Sequence, residues 1–131
     1  MIILGYYSDV AVVFEVKDTD RLMNAARDWD KKHDLDGDFT VEKLIDGANK
    51  DLITKDKKYH LLVWNSIKWY ANFSAEKVFV PQEFFESLDD YDIPYDFVRI
   101  GEDMGDYEIQ GDLDSDIVYP EQSLWFNKEF V

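Results

Sequence analysis

The pattern that most constrains the fold is an apolar run inside residues 6–16, where positions 10–14 are Val, Ala, Val, Val and Phe. A short run of mainly β-branched and aromatic side chains is typical of a buried β-strand. Behind Asp18 or Thr19 as a cap, apolar residues then recur at the i, i+3, i+4, i+7 spacing of one helix face: Leu22, Ala25, Ala26 and Trp29. The sequence therefore predicts a buried strand followed by a helix that ends near Lys32.

The rest of the chain alternates between helical and hairpin patterns. Helical spacing recurs behind Thr40, and Pro81 is well placed as the first residue of a third helix. Four runs of strand-forming residues are bounded by turn residues: 52–54, 59–64, 95–100 and 106–110. Residues 123–130 are expected to close the sheet as its last strand. These elements predict one α+β domain over residues 1–131, with helices covering one face of a mainly antiparallel sheet.

Composition narrows the class of protein. The 131 residues include nine Phe, eight Tyr and four Trp, which supply enough apolar surface for a real core, and there is no Cys. The missing thiols exclude a disulfide framework, a thiolate zinc site and a Cys nucleophile. We also find no secretory signal pattern and no stretch near the roughly 20 apolar residues that a membrane helix needs. A soluble, unprocessed protein in a reducing, cytosolic setting is expected.

The acidic residues are concentrated in one part of the chain. Between Glu83 and Glu121, here called the acidic segment, there are fourteen Asp or Glu residues and a single base, Arg99. The first 82 residues have fourteen acids and twelve bases. Concentrated negative charge repels nucleic acid and anionic membranes, and it attracts basic protein clefts and cations. We therefore expect a basic protein partner, and no direct binding to nucleic acid or to a membrane.

Few residues suit nucleophilic catalysis. The only histidines are His33, in a predicted polar turn, and His60, in a predicted strand. Either would have to pair with Ser66, Ser74 or Ser87, and none of these serines has a nucleophile-elbow context. The better interpretation of His60 is a strand residue that faces a polar neighbour. We predict no catalytic residues.

A second catalytic pattern comprises Asp9, Glu15 and Lys17, which faintly resemble the carboxylate-x-lysine ending of a magnesium-dependent nuclease fold. Asp9 lies on the same predicted strand as Glu15, and an anionic enzyme is poorly suited to an anionic substrate. Ordinary charges at a strand end explain the pattern better. A divalent-metal-dependent hydrolase or nuclease nevertheless stays open as an alternative.

Carboxylate-rich turns are candidate calcium sites. Asp34, Asp36, Gly37 and Asp38 imitate the middle of a calcium-binding loop, but lysines stand where its first and last ligands belong. An Asx-rich turn is the better interpretation. Turns of the acidic segment could hold a hard cation weakly, but we predict no specific metal site and no cofactor.

The acidic segment can present an ordered array of carboxylates. Along a strand, residues i and i+2 share a face about 6.5–7 Å apart, so pairs such as Asp106 and Glu108, or Asp112 and Asp114, could imitate the charge of a nucleic-acid backbone. An acidic face kept only for solubility is the alternative. The predicted partner-binding residues are Glu86, Asp89, Asp90, Asp92, Asp96, Glu102, Asp103, Asp106, Glu108, Asp112, Asp114 and Asp116.

An aromatic cluster is the other notable feature. Trp64, Ile67, Trp69 and Tyr70 lie close together in the chain. Most such aromatic residues belong to a core, and the alternative is an exposed anchor at an interface, where Trp and Tyr are enriched. In the second case the chain could be a structural or regulatory module that forms a homodimer.

Three blocks resemble a known group of proteins: GYYSDVA at residues 5–11, LLVWNSIKWY at 61–70 and FVRIGED at 97–103. They are similar to blocks of small, mostly uncharacterised proteins encoded by bacteriophages and prophages. The resemblance brings no catalytic residues. It implies a context in the host cytoplasm, where small acidic phage proteins often bind and disable enzymes that act on DNA, including restriction and CRISPR effectors.

Charge and resemblance together predict a non-enzymatic binding protein. Its acidic face is expected to occupy the basic nucleic-acid site of a host defence complex, as DNA-mimicking anti-CRISPR and anti-restriction inhibitors do.

Overall fold

The computed structural model describes residues 7–37, 39–69, 81–120 and 124–130. Five antiparallel strands form the main sheet: β1 Tyr7–Glu15, β2 Lys50–Ile53, β3 Tyr59–Lys68, β4 Tyr95–Gly101 and β5 Tyr107–Gly111. Their order across the sheet is β2-β3-β1-β4-β5. The predicted α+β fold with a mainly antiparallel sheet is confirmed.

Three helices pack on one face of this sheet: α1 Thr19–Lys32, α2 Val41–Asp46 and α3 Pro81–Glu86. All three begin or end where the sequence patterns predict. Thr40 caps α2 by accepting a hydrogen bond from Lys43 N at 3.1 Å, and the buried Asp30 of α1 accepts from Val41 N at 2.7 Å. Two 3₁₀ turns flank the helices, Val16–Asp18 before α1 and Ser87–Tyr91 after α3.

Strand β1 is the centre of the molecule. Val10, Val12 and Phe14 pack against the helices, while Ala11 and Val13 face the other side of the sheet. All five side chains are buried. A strand with neighbours on both edges and layers on both faces has no side that can be polar, which explains the unbroken apolar run.

The strand predicted at residues 123–130 does not join the main sheet, so that prediction is wrong, although Phe130 forms an isolated antiparallel bridge with Thr54 just after β2. Leu124–Phe126 is strand β7, and it pairs with β6, Val118–Pro120, in a separate two-stranded ribbon. Ile117 and Val118 pack on the sheet face opposite the helices, with Ala11 and Val63. That face is apolar and would otherwise be open to water, so the C-terminal ribbon gains more by covering it than by extending the sheet. Ser123 lies outside the described residues.

Within the described residues, no helix is long and apolar enough to cross a membrane.

Candidate functional site

The predicted partner-binding residues differ in exposure. Asp96, Asp106 and Glu108 are half-buried. The other nine are exposed: Glu86, Asp89, Asp90, Asp92, Glu102, Asp103, Asp112, Asp114 and Asp116. They come from α3, the 3₁₀ turn after it, the β4–β5 turn and the loop that follows β5, so the fold gathers them around the β4–β5 end of the sheet.

These carboxylates lie on both sides of the sheet rather than on one flat face. Phe97 of β4 packs toward the helices and Val98 packs toward the ribbon. By strand alternation, Asp96 shares the ribbon side with Val98, while Glu108 lies opposite Arg99 on the helix side. A partner that contacts all of the acidic residues therefore has to reach around the β5 edge.

The one base of the acidic segment, Arg99, is buried and only 7 % exposed. Its Nη2 donates to Asp106 Oδ1 at 2.8 Å and to Glu108 Oε1 at 3.0 Å, and its Nη1 donates to Ser8 Oγ at 3.2 Å. Hydrogen bonding to Asp106, followed by Glu108, raises the pKa of Arg99 above its ordinary value. Asp106 and Glu108 point to one side, as predicted, but they face the guanidinium of Arg99.

Glu108 also fastens α3 to the sheet. Gln82 of α3 is 1 % exposed; its Oε1 accepts from Trp69 Nε1 at 2.8 Å, and its Nε2 donates to Glu108 Oε2 at 2.9 Å. Glu86 Oε1 accepts from Gln110 Nε2 at 3.2 Å. A buried polar network of this kind is stable only when its members are satisfied. The sequence analysis missed Gln82, because a lone glutamine near a helix start carries no sign of burial.

On the ribbon side, Asp96 holds the loop after β5. Its two carboxylate oxygens accept from Asp114 N at 3.0 Å and Ser115 N at 2.8 Å, and the Ser115 hydroxyl donates to Oδ2 as well. Asp114 and Asp116 have left-handed backbones with φ of 53° and 60°. This loop is not a strand, so the i, i+2 strand spacing predicted between Asp112 and Asp114 does not apply.

The pKa of the buried Tyr95 responds to nearby charges of the acidic segment. Burial is the main cause that raises the pKa of its hydroxyl, and the charges of Asp89, Glu86 and Asp112 raise it further. These three carboxylates come from two separate parts of the chain and act on one buried group. Their negative potential is therefore shared across the β4–β5 end of the sheet.

Two grooves, here called the β5 grooves, adjoin β5 and meet at Pro120. The larger has a volume of about 530 Å³ and is lined by Asp96, Val98, Ile109, Asp114, Asp116 and Val118, among others. The smaller, of about 370 Å³, is lined by the β4–β5 turn and Tyr107. Both are lined by apolar side chains together with carboxylates, which suits an amphipathic cationic ligand.

His60 has polar neighbours, as expected. Its contacts with a hydroxyl and a carboxylate resemble the hydrogen-bonded chain of a catalytic triad only in outline. Its Nδ1 lies 3.0 Å from Thr19 Oγ1, and its Nε2 pairs with Asp51. The ring is 7 % exposed and lies against Phe14. Neither of the β5 grooves is lined by these residues, so the contacts serve to join the start of α1 to β2 and β3.

The other sequence candidates also have structural partners. Asp9 Oδ1 accepts from Ser66 N at 2.8 Å, beside the irregularity in the β1–β3 pairing. Asp34 and Gly37 form a turn with left-handed φ of 55° and 68°. Among the residues that the structure describes, no group of three or more carboxylate or imidazole side chains lies close enough to share a metal ion. Asp38 and Ser74 lie outside those residues.

The aromatic cluster belongs to the core. Trp64 and Trp69 are 2 % and 3 % exposed and pack against each other and against Phe85. Trp64 Nε1 donates to Leu44 O at 2.9 Å. Of the two interpretations left open by the sequence, core packing is therefore the one observed for both tryptophans. Tyr70 lies outside the described residues.

No protein-family model, curated protein or solved structure matches the chain significantly.

Proposed function

We propose that the protein is a non-enzymatic inhibitor whose acidic β4–β5 end occupies the basic nucleic-acid site of a host protein. In this proposal it is a phage anti-defence protein of the anti-CRISPR or anti-restriction type, acting in the host cytoplasm. It binds its target in place of nucleic acid and performs no chemistry on it.

The observation that carries the proposal is that the single base of the acidic segment, Arg99, forms its ion pairs inside the fold. Arg99 is buried between Asp106 and Glu108, so it does not offset the carboxylates on the surface. Six exposed acids form no ion pair with any described base: Asp89, Asp90, Asp92, Asp112, Asp114 and Asp116. Arg21 lies beside this array, but it donates to the main-chain oxygens of Tyr91 and Asp92 rather than to their neighbours' carboxylates. An array of exposed carboxylates without ion-pair partners steers a basic partner toward it and repels nucleic acid.

Geometry adds support for a target that wraps around the protein. The exposed carboxylates lie on both sides of the β5 edge, as phosphates lie on both sides of a duplex groove. A basic channel built to enclose nucleic acid has charges on more than one wall. A curved acidic edge fits such a channel better than a flat acidic face does.

The test is capture of target proteins from a host lysate, followed by competition with the target's own nucleic acid. We expect the captured protein to be basic and nucleic-acid-binding, and its complex to weaken steeply as salt rises, because exposed charges are screened beyond about 8–10 Å at physiological ionic strength. Displacement of labelled nucleic acid by the purified chain is the second readout.

A matched pair of variants separates site from net charge. One variant replaces four exposed acids of the proposed site by amides, Asp89→Asn, Asp90→Asn, Asp114→Asn and Asp116→Asn. The control makes the same change at exposed acids of the other half, Asp20→Asn, Asp34→Asn, Asp36→Asn and Asp46→Asn. Only the first should lose competition. If both variants lost competition equally, overall net charge rather than this site would explain the effect. Binding that is as tight at high salt as at low salt would also count against the proposal.

A further inference from the structure

We infer that the outer edge of β5 binds an extended basic segment of the target protein, which adds to the sheet as a further strand. The basic nature of the occupant rests on the proposed function. The edge itself is argued from the structure.

The backbone of β5 has bonding groups to offer. β5 is the last strand in the sheet order, and no strand within the described residues pairs with its outer side. Gly101 N donates to Asp106 O at 2.8 Å, which sets the alternation of the β4–β5 ladder. In an antiparallel pair every second residue bonds to its partner strand, so the N–H and C=O groups of Tyr107 and Ile109 point away from β4.

The side chains at the same positions are apolar and open to water. Tyr107 is 54 % exposed and Ile109 is 61 % exposed, and both line the β5 grooves. Natural edge strands are usually protected by charged side chains, by Pro or by a bulge. Between Tyr107 and Gly111, β5 has neither Lys nor Pro, and its pairing with β4 is regular. Its one charged residue, Glu108, points to the helix side and is bound by Arg99 and Gln82. β5 therefore has the features of a strand that accepts a partner.

Charge decides which occupant fits. Asp96, Asp114 and Asp116 line the larger groove, and Glu102 and Asp103 line the smaller. A second copy of this chain, pairing β5 with β5, would bring two such acidic rims together and is disfavoured. In a segment that alternates apolar and basic residues, successive side chains lie on opposite sides of the sheet. The apolar ones would lie beside Ile109 on the ribbon side, and the cations would lie on the helix side, near Glu86 and Glu108.

The probe is a synthetic peptide of about eight alternating valine and arginine residues, long enough to span β5 at the rise of a strand. A peptide of alternating valine and glutamate is its control. We expect the basic peptide alone to bind and to slow hydrogen exchange at the amides of Tyr107 and Ile109. Binding without that protection, or equal binding of the acidic peptide, would overturn the inference.

Two substitutions separate the backbone from the side chain. I109P removes an N–H that points outward and so breaks no bond to β4, whereas I109A keeps the N–H and removes most of the side chain. We expect I109P to bind the basic peptide about tenfold more weakly than I109A does, the effect of one lost main-chain bond. Equal affinities would contradict strand addition. The exchange measurement on the unaltered chain decides the matter if I109P does not fold.

The same variants distinguish this inference from the proposed function. If I109P displaces nucleic acid from the captured target as well as I109A does, the proposed function stands and strand addition fails. If the peptide adds to β5 but the chain displaces nucleic acid from no target, the inhibitor proposal fails while the edge retains its peptide-binding role. A dimer of the unaltered chain in sedimentation that I109P abolishes would replace the basic segment by a second copy.

Discussion

Arg99 and Glu108 face each other across β4 and β5, and both Nε and Nη2 of the guanidinium donate to Glu108 Oε1, at 3.2 and 3.0 Å. Glu108 uses its second oxygen to accept from Gln82 in α3. One carboxylate of the acidic segment thus joins the sheet to a helix. This pairing gives part of the acidic segment a structural role.

Replacing Arg99 should destabilise the fold. R99M removes the guanidinium that the half-buried Asp106 and Glu108 bind, which we expect to lower the free energy of unfolding by about 2 kcal/mol, somewhat less than for a fully buried pair. R27M is the control, because Arg27 forms an exposed pair with Glu42 and exposed pairs contribute little. Urea denaturation measures both. Similar losses would mean that the Arg99 network is not a stability element.

Gly111 should resist substitution. A Cβ at this position would lie 2.0 Å from Tyr95 O, and its φ is +88°, so G111A combines a backbone clash with conformational strain. We expect a loss on the order of 3 kcal/mol in unfolding free energy. G105A tests strain alone, since Gly105 has a φ of +81° but nothing within 4 Å, and it should cost about 1 kcal/mol. If G111A and G105A lost similar amounts of unfolding free energy, the clash with Tyr95 would not be needed to explain the cost of G111A.

Alkaline pH should act through Tyr95. The folded pKa of its hydroxyl is raised, so its contribution to stability is complete below the unfolded pKa of about 10 and is lost as pH rises through the higher folded pKa. The melting temperature should therefore fall in that range, and less so in Y95F. Ultraviolet titration of the phenolate should show that D89N combined with D112N lowers the Tyr95 pKa, whereas D20N leaves it unchanged.

His60 should matter for stability but not for inhibition. H60A removes a buried ring with its contacts to Thr19 and Asp51, and we expect a loss of about 2 kcal/mol. Competition with nucleic acid, measured well below the melting temperature, should be unaffected. Loss of all activity in a folded H60A protein would instead favour an enzyme. H33A is the comparison, since His33 is exposed and stacks on Trp29.

The elements that the sequence predicts well are those determined locally. A continuous apolar run defines β1 and periodic apolar residues define α1, while the positions of Thr40 and Pro81 mark the starts of α2 and α3. The strand predicted within residues 123–130 was assigned to the wrong sheet, because its position depends on which sheet face the helices leave open. The open face depends on contacts between distant parts of the chain, and the short apolar pattern of residues 123–130 gives no information about them.

The sequence predicts which acidic residues make up the candidate site, but it does not predict how their side chains are arranged. Local counting identifies the excess of acidic residues. It does not reveal that Asp106 and Glu108 bind Arg99, or that Asp96 holds the backbone of Asp114 and Ser115. These roles depend on register between β4 and β5 and on the loop that follows. A lone base within an acidic segment was the one available signal of a buried ion pair.

The position of β1 at the centre of the sheet has a consequence for synthesis on the ribosome. Ser8 pairs with Gly101, so the first strand waits for most of the chain to emerge before it gains its second neighbour. Until then its apolar residues can pair with β3 only, and closing so long a loop is entropically unfavourable and slow. The nascent chain should therefore depend on chaperones until β4 emerges, and proteins made from messages truncated before that strand should aggregate.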